Sequence, residues 1–345
     1  TATAAPPLSE KFKCKIFLSA PNIYQVFIYY FPIKSFNFHY IFILFWLEIN
    51  NIIYLFSVLR NSLNMNSNIF KNKFESKLFL DKEGKTNFIQ GGLRTKGTIK
   101  KKNSFLISIV TVTLNSEKYI EETIQSVLNQ KNKNFEYIII DGGSSDKTID
   151  IIKKYENKID YWVSEPDKGL YDAFNKGLTL VAGDIVGFVN SDDVYTNESL
   201  SIVEKYFKKY PNLDFLFGGV KKHWGLLYGY KPWKIFFSWG FYSSHSTGFF
   251  IKLESAKKVG FYNLKYKYSS DYDLFYRMIV KFRMKGMGTK KNEIFGHFRR
   301  GGYSSKISFL DHFFEEIKIR LDNGQNKLLV LFVIIFKFLK NINRI

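Results

Sequence analysis

Two adjacent carboxylates, Asp192 and Asp193, follow a run of apolar residues and carry the clearest chemical signal in the sequence. The run at 184–189 predicts a buried strand, and two carboxylates at its end are costly to desolvate unless a cation meets them. Hard divalent cations take oxygen ligands, so a metal that carries a diphosphate would satisfy this pair. A solvated turn is the alternative, because Asp and Asn favour turns.

Polar residues also follow other predicted strands of the same region. The β-branched run at 107–114 ends at Thr113 and Asn115, and the run at 135–140 ends at Asp141. Strands that alternate with helices indicate a parallel sheet with right-handed crossovers, and ligands bind at the carboxyl ends of such strands. We therefore predict an α/β fold in which these polar residues and the acidic pair converge on one edge of the sheet. The remaining elements are a strand at 161–163 and helices near 119–128, 147–155 and 170–180, the first of them capped by Asn115 and Ser116.

The length of the chain limits the size of the fold, and its charge limits the class of partner. A chain of 345 residues can hold one large domain or two smaller ones and can bury a sizeable core. Its formal net charge of +20 favours an anionic partner, whether nucleic acid, a lipid surface or a phosphorylated substrate, although a Lys-rich composition alone gives the same charge. The single cysteine, Cys14, excludes an intramolecular disulfide and fits a reducing compartment.

Residues 1–64 differ from the rest of the chain. They are rich in aromatic residues and Ile, and the first methionine is Met65. The apolar stretch at 41–59 has the length of a membrane span, but Glu48 near its centre is expensive there. A membrane anchor, an extra structural segment and upstream sequence outside the working protein are the three interpretations, and we favour the third. Residues 65–104 are predicted to form a basic arm with little core of its own.

Several separate motifs, in the same order along the chain, resemble those of inverting family 2 glycosyltransferases with the GT-A fold. The motif at 165–177 is similar to the bacterial branch that builds capsule, O-antigen or colanic-acid-like polysaccharide. The likeness covers roughly residues 91–305 and leaves residues 1–64 without a counterpart. The other motifs are those at 91–94, 107–114, 115–120, 141–148 and 190–193.

This resemblance implies a fold and an activity. The fold is an α/β GT-A domain, a Rossmann-like nucleotide-diphospho-sugar transferase with a mostly parallel central sheet flanked by helices. A nucleotide-sugar-binding half is expected at 105–220, an acceptor-binding and catalytic half at 221–305, and a C-terminal helical tail at 306–345. The implied enzyme is a metal-dependent inverting hexosyl- or N-acetylhexosaminyl-transferase that uses a nucleotide-sugar donor, with a UDP-sugar expected.

The resemblance assigns the donor to the first half of the chain. It implies that Asp141 accepts a hydrogen bond from the uracil, in a pocket shared with Thr113, Asn115 and Glu117. A plain cap at a strand-to-helix turn is the alternative role for Asp141. The loop at 299–305 resembles a flap over the donor, or is an ordinary loop. The other residues that the resemblance places at the donor are Lys168, Asp192, Arg300 and Ser304.

The resemblance also implies a divalent cofactor, Mg²⁺ or Mn²⁺, that acts as a Lewis acid on the leaving nucleoside diphosphate. Asp193 is the expected ligand, and Asp192 is expected nearer the ribose or the water shell of the metal. The adjacent pair stands in place of a spaced Asp-x-Asp motif, so the part that each carboxylate takes in binding the metal stays open. His245 is a further candidate for contact with the metal or the diphosphate, and a structural histidine is the alternative.

The general base is expected in the second half of the chain. The stretch that begins at Ser269 predicts a capped amphipathic helix, and by the family's pattern Asp271 on this helix deprotonates the acceptor hydroxyl. Asp273 is the alternative base. Carboxylates two residues apart do not share a helix face, so one can point into a cleft while the other caps or pairs. The alternative is that both carboxylates only stabilise the helix N-terminus.

The C-terminal tail contains an apolar run at 328–336 with basic residues on both sides. The run is too short to span a bilayer comfortably, and its basic flanks favour a position on an anionic leaflet. Packing on the domain or on a second subunit is the alternative. The resemblance implies a saccharide acceptor linked to a polyprenyl lipid, and a protein of the bacterial cytoplasm that is peripheral on the inner membrane surface.

Two other function classes compete with glycosyl transfer. A basic protein with an inactive site would bind membrane or nucleic acid, but no motif typical of nucleic-acid binding is present, so a nucleic-acid partner is not expected. A nucleotidyltransferase also uses an α/β sheet and acidic metal ligands. It would need a Gly-rich phosphate loop after its first strand, and residues 113–116 there read Thr-Leu-Asn-Ser.

Overall fold

The computed structural model describes residues 88–100, 105–237, 246–301 and 307–340. Residues 1–64, most of the arm, His245 and Ser304 lie outside these ranges, so the expectations for them stay predictions. The described strands are β1 (Ile89–Gly91), β2 (Ile107–Thr113), β3 (Phe135–Asp141), β4 (Tyr161–Ser164), β5 (Ile185–Asn190), β6 (Val194–Tyr195), β7 (Phe215–Phe217), β8 (Gly219–Lys222), β9 (Gly225–Leu227), β10 (Phe249–Lys252), β11 (Gly286–Gly288) and β12 (Ile294–His297). The described helices are α1 (Ile120–Leu128), α2 (Thr148–Lys154), α3 (Leu170–Leu180), α4 (Ser199–Lys209), α5 (Leu253–Val259), α6 (Ser270–Tyr276), α7 (Phe309–Asp322) and α8 (Lys327–Lys340), with 3₁₀ turns at Leu93–Lys96 and Pro232–Phe237 and a π-helical turn at Arg277–Lys281.

The larger sheet has eight strands in the order β1-β4-β3-β2-β5-β10-β7-β11. Strands β4, β3, β2 and β5 are parallel neighbours, which confirms the predicted alternation of strands and crossover helices in the first half. Strand β10 runs antiparallel to both β5 and β7, so the sheet becomes mixed in the second half. The α/β fold with a large central sheet flanked by helices is confirmed.

Helices cover both faces of this sheet. Residues of α3 and α6, among them Phe174 and Phe275, pack in one apolar cluster. Residues of α1, α2 and α4, among them Ile124, Ile152 and Val203, pack in the other. Because both faces are covered, every residue of β2 and of β3 is buried. Their near-continuous apolar runs are typical of central parallel strands.

The predicted cap at Asn115 and Ser116 is wrong. Helix α1 begins at Ile120, and the preceding residue makes no side-chain capping hydrogen bond. Asn115 instead has a positive φ of 49°, and its side-chain oxygen accepts a hydrogen bond from the backbone N–H of Ser145 at 2.9 Å. Asn tolerates this left-handed conformation, so the residue that looked like a cap ties the end of β2 to the turn after β3.

The described part of the basic arm is docked to the sheet. Strand β1 pairs antiparallel with β4 at the edge of the sheet. A Cβ at Gly91 would lie 2.5 Å from the indole nitrogen of Trp162, so only glycine allows this approach. Arg94 donates a hydrogen bond to the backbone oxygen of Leu180 at 2.7 Å and forms an ion pair with Glu136. The described part of the arm therefore extends the core of the domain.

The smaller sheet has four strands in the order β6-β12-β8-β9. Strand β6 begins directly after Asp193, and β12 pairs with both β6 and β8. This sheet brings the acidic pair next to the residues that follow β8 and β12. The sequence analysis did not predict it, because its strands have two to four residues and carry weak periodicity.

The predicted C-terminal helical tail is confirmed. Helices α7 and α8 pack on each other through a small apolar cluster that includes Phe313, Ile317 and Val330. Within the ranges that the structure describes, every helix is too short or too polar to cross a bilayer.

Candidate active site

Asp193 lies between β5 and β6 and is fully buried. Its Oδ2 atom accepts a hydrogen bond from the Thr247 hydroxyl at 2.7 Å, and its Oδ1 atom accepts one from the backbone N–H of Arg299 at 3.0 Å. Burial, together with the charge of Asp192, raises the pKa of Asp193 to about 7. The fold therefore fixes the orientation of this carboxylate in a place where its charge is poorly solvated.

Asp192 is only half-buried. Burial raises its pKa, and the positive charge of Arg299 opposes that shift. The two neighbours therefore differ, because hydrogen bonds anchor Asp193 whereas Asp192 keeps access to the surface of the site. A bound cation would stabilise both charged forms, which favours an ion site over a solvated turn.

Asp141 is the centre of a hydrogen-bonded turn at the end of β3. It is fully buried, and its Oδ2 atom accepts hydrogen bonds from the backbone N–H groups of Gly143 at 3.0 Å and Ser144 at 2.8 Å. The same oxygen accepts a hydrogen bond from the Ser164 hydroxyl at 2.6 Å. Asp141 therefore shapes the turn as the capping alternative requires. Its Oδ1 atom accepts one hydrogen bond, from the Ser144 hydroxyl at 2.5 Å, and so retains capacity to accept a second.

Two buried side-chain oxygens at the same sheet edge lack a hydrogen-bond partner within the part of the chain that the structure describes. They are Oγ1 of Thr113 and Oδ1 of Asn190. Strands β2 and β5 are neighbours, with Val112 opposite Asn190, so both oxygens lie near the carboxyl ends of adjacent strands. An unsatisfied buried polar atom is costly, and a bound ligand would remove that cost. Asn190 was not among the predicted site residues.

These residues fit a divalent metal ion. Asp192, Asp193 and the side-chain oxygen of Asn190 are oxygen donors, the type that Mg²⁺ and Mn²⁺ prefer. Over the described ranges, no group of three or more His, Cys, Asp or Glu side chains is arranged to hold a metal. One or two carboxylates that complete their coordination sphere with substrate phosphates are typical of Mg²⁺. The site therefore fits a metal that arrives with a diphosphate better than a metal held by protein alone.

The other predicted donor residues lie at the surface around this edge. Asn115, Glu117, Lys168 and Arg300 are exposed. Glu117 accepts a hydrogen bond from the backbone N–H of Lys147 at 3.1 Å, so it supports the start of α2. A cavity of about 370 Å³ adjoins the Asp141 turn. Its lining residues are Phe88, Ile89, Gly143, Ser144, Ser164, Glu165 and Pro166, the first two from the arm.

Asp271, the predicted general base, lies near the start of α6 and is 9 % exposed. The hydroxyl of Tyr171 lies 3.1 Å from Asp271 Oδ1 and 3.0 Å from the backbone oxygen of Tyr268. Tyr171 belongs to the motif at 165–177, and its ring stacks on Tyr262 at 5.4 Å between centroids. One role of that motif is therefore to orient the carboxylate of Asp271.

Asp273 has a different environment. Its Oδ2 atom accepts a hydrogen bond from Arg277 Nε at 2.9 Å, and its Oδ1 atom accepts one from Asn323 Nδ2 at 2.8 Å. The guanidinium of Arg277 also donates to the backbone oxygens of Val259 at 2.6 Å and Phe261 at 2.8 Å. The two carboxylates therefore have different partners, and Asp273 is the one that forms an ion pair with Arg277.

The helix predicted at this site is confirmed, but the prediction that it is amphipathic is wrong. Every residue of α6, Ser270–Tyr276, is buried. Ser269 stands before the helix but makes no side-chain capping hydrogen bond. The helix is packed on all sides because α7 and the turn at Pro232–Phe237 cover the face that would otherwise meet solvent.

Four residues of the site escaped the sequence analysis as functional residues. Thr247 and Arg299 hold Asp193, and Tyr171 holds Asp271. Lys222 lies within electrostatic reach of both Asp193 and Asp271. Tyr171 and Arg299 had a signal in the sequence, because they belong to the motif at 165–177 and to the loop at 299–305, whereas Thr247 and Lys222 reach the site through β10 and the smaller sheet.

Comparison with protein families gives a match over much of the described chain. The sequence model of the family described as glycosyl transferase family 2 matches residues 108–267. Among curated proteins, an uncharacterized glycosyltransferase of Mycobacterium tuberculosis strain CDC 1551 / Oshkosh is 28 % identical over 217 residues, which cover 57 % of this chain and 82 % of that protein. The putative teichuronic acid biosynthesis glycosyltransferase TuaG of Bacillus subtilis strain 168 is 39 % identical over 99 residues, which cover 28 % of this chain and 39 % of TuaG.

A solved structure shares the fold. The crystal structure of S. aureus TarS 1–349 in complex with UDP aligns with a TM-score of 0.51 at 19 % sequence identity. The alignment covers 68 % of this chain and 71 % of that chain.

Proposed function

Because the chain belongs to glycosyl transferase family 2 and has the GT-A fold, we propose that it transfers a sugar from a UDP-sugar, with inversion, to a lipid-linked saccharide. Two observations support this proposal. Asp141 and Asp193 follow the ends of two parallel strands of one sheet, and Lys222 is within electrostatic reach of both Asp193 and Asp271. We therefore infer that the residue expected at the metal and the residue expected to act as base belong to one site.

The donor is proposed to occupy the carboxyl edge of β4, β3, β2 and β5. The nucleoside lies near the Asp141 turn, where the unpartnered oxygen of Thr113 accepts a hydrogen bond from it. Both Asp141 oxygens already accept hydrogen bonds, and Oδ1 retains capacity to accept one more from the nucleoside. The TarS structure that shares this fold contains UDP, which makes UDP the first nucleotide to test.

The diphosphate is proposed to lie at Asp192 and Asp193. These carboxylates, with the Asn190 side-chain oxygen, would hold Mg²⁺ or Mn²⁺, which when bound supplies positive charge to the leaving nucleoside diphosphate. Thr247 and the backbone N–H of Arg299 keep Asp193 oriented for this role. His245, Ser304 and the exposed Lys168 and Arg300 remain candidate donor contacts.

Asp271 is proposed to accept the proton of the acceptor hydroxyl. The acceptor oxygen attacks the anomeric carbon from the face opposite the diphosphate, so one displacement inverts that centre. Tyr171 donates a hydrogen bond to Asp271 and fixes its rotamer. Asp273 is less suited to this role, because Arg277 and Asn323 occupy its two oxygens.

The acceptor side is proposed to rest on an anionic membrane surface. Helix α8 packs on the domain through Val330 and Val333, which are buried. Five apolar residues of α8 form an exposed stripe at helical spacing, and Trp233 of the Pro232–Phe237 turn adjoins it across an apolar cavity of about 320 Å³. Lysines flank this stripe and no acidic residue occurs in α8, so the face is complementary to a negatively charged leaflet. The stripe consists of Leu328, Phe332, Ile335, Phe336 and Leu339.

This face is linked to the proposed base. The Tyr272 hydroxyl on α6 donates to the backbone oxygen of Ile235 at 2.9 Å, and Arg320 of α7 donates to the backbone oxygen of Phe236. The turn at Pro232–Phe237 therefore joins the apolar face to the helix that carries Asp271. A saccharide on a polyprenyl lipid would meet the base from this direction. This is the arrangement expected for bacterial surface polysaccharide synthesis at the cytoplasmic side of the inner membrane.

UDP together with Mg²⁺ or Mn²⁺ is expected to stabilise the protein against thermal unfolding more than either ligand alone. A ligand that binds only the folded state contributes about 2.7 kcal/mol when present at 100 times its Kd. Differential scanning fluorimetry with the metal, with UDP and with both measures this synergy. The proposed function is rejected if the protein shows no stabilisation by UDP with either metal.

Vesicle binding is expected to depend on the exposed stripe of α8. The Phe332→Ser/Phe336→Ser double variant should sediment with phosphatidylglycerol vesicles at least about tenfold less than wild type, because each buried Phe contributes about 1.5–3 kcal/mol. Tyr210→Ser removes a side chain that is 38 % exposed on another element and should leave binding unchanged. Equal sedimentation of the double variant and wild type would exclude this face as the lipid contact.

A further inference from the structure

Lys222 ends strand β8 and points to the interior side of the smaller sheet. Successive residues of a strand face opposite sides, so Lys222 shares a side with the fully buried Val220, whereas Lys221 is exposed. Lys222 is half-buried, and its ammonium group lies 4.3 Å from the centroid of the Phe298 ring. The side chain is therefore held in place over an aromatic face.

The backbone that holds Lys222 also holds the acidic pair. Strands β8 and β12 pair with Lys221 opposite His297, and the Phe298 N–H donates to the Lys221 backbone oxygen at 2.9 Å. The next residue, Arg299, donates its backbone N–H to Asp193. Two consecutive residues after β12 thus contact a cation and a carboxylate, Phe298 the Lys222 ammonium group and Arg299 the Asp193 carboxylate.

Two carboxylates, those of Asp193 and Asp271, act electrostatically on the ammonium group of Lys222. Burial lowers the pKa of Lys222, and the negative charges of Asp193 and Asp271 oppose that shift. Among the described residues, no carboxylate lies within salt-bridge distance of its ammonium group. A partly desolvated cation without a contact ion pair is costly, and an anionic ligand between the two carboxylates offsets that cost.

We propose that Lys222 binds the diphosphate of the donor and neutralises the charge that develops on the leaving nucleoside diphosphate. This inference rests on the proposed function. In the transfer, the bond from the anomeric carbon to the β-phosphate oxygen breaks and its electron pair remains on that oxygen. The acceptor oxygen bonds to the anomeric carbon, and its proton passes to Asp271. Lys222 keeps its own proton and contributes positive charge beside the released oxygen.

A series of nucleotides isolates this contact, because uridine, UMP and UDP differ only in their phosphates. The Lys222→Gln variant is expected to bind UDP about 10- to 100-fold more weakly in isothermal titration calorimetry with Mn²⁺, as for the loss of a charged hydrogen bond. Its affinity for uridine should be unchanged. Lys222→Arg should retain most of the UDP affinity. Lys221→Gln, which removes the neighbouring exposed lysine from the same strand, should behave as wild type.

Each outcome decides one point. UDP affinity of Lys222→Gln equal to that of wild type overturns the role of Lys222, while the proposed function stands. An equal loss of affinity for uridine and UDP indicates a structural role and also overturns the inference. A wild-type protein that binds none of the three ligands overturns the proposed function itself, and the inference fails with it.

Discussion

Replacing Asp271 with asparagine is expected to lower sugar transfer by about 10²- to 10⁴-fold, the range of general acid–base catalysis. Asparagine keeps the size of the side chain and can still accept the hydrogen bond from Tyr171, but it cannot take the proton of the acceptor hydroxyl. Donor binding should therefore survive. Calorimetry with UDP and a transfer assay on the same preparation separate the two effects.

Asp273→Asn is the matched control, because it makes the same chemical change two residues away on the same helix. Arg277 would lose a buried charged partner, and breaking such a pair typically costs about 3–5 kcal/mol of stability. The variant should unfold at lower temperature while the folded fraction keeps its activity. If Asp271→Asn transfers sugar at the wild-type rate, Asp271 is not the base. If Asp273→Asn is stable but inactive, the roles are reversed.

Asp193→Asn is expected to abolish the metal-dependent part of UDP binding. The buried carboxylate of Asp193 is the best-anchored charge in the acidic pair, and asparagine removes that charge with little change in volume. The thermal stabilisation by UDP and metal together, about 2.7 kcal/mol at 100 times Kd, should fall to the level seen with UDP alone. Scanning fluorimetry with and without metal gives this difference directly.

The stability of the unliganded variant shows whether the fold survives. One of the two donors, the Thr247 hydroxyl or the Arg299 N–H, loses its acceptor in Asp193→Asn, which costs about 1–3 kcal/mol. Asp150→Asn, on the exposed side of α2, makes the same charge change elsewhere and should bind UDP as wild type. The loss of metal-dependent stabilisation in Asp192→Asn, compared with the loss in Asp193→Asn, shows how much each carboxylate contributes to metal binding. Metal-dependent stabilisation that persists undiminished in Asp193→Asn would remove Asp193 from the metal site.

The first half of the fold was predictable because its signals are local. Buried parallel strands are continuous apolar runs, and the helices between them have a clear period, so the bounds of α3 were predicted to the residue. The start of α1 was not, because Asn and Ser serve equally as helix caps and as loop residues in a left-handed conformation. The short strands β6, β8, β9 and β12 carry too few residues for any period to show.

The sequence by itself determined the α/β alternation and the row of polar residues at the strand ends. Parallel strands align their carboxyl ends, so Ser164, Asp141 and Thr113 had to lie side by side once the strand order was fixed. Tertiary structure alone decided which carboxylate of the acidic pair is anchored and which carboxylate of α6 forms an ion pair. Asp193 is held from Thr247 and Arg299, 54 and 106 residues away, and Asp273 rather than Asp271 is the carboxylate that forms the ion pair with Arg277. Lys222 meets the site only because β8 pairs with β12, and such long-range pairing leaves no local pattern in the chain.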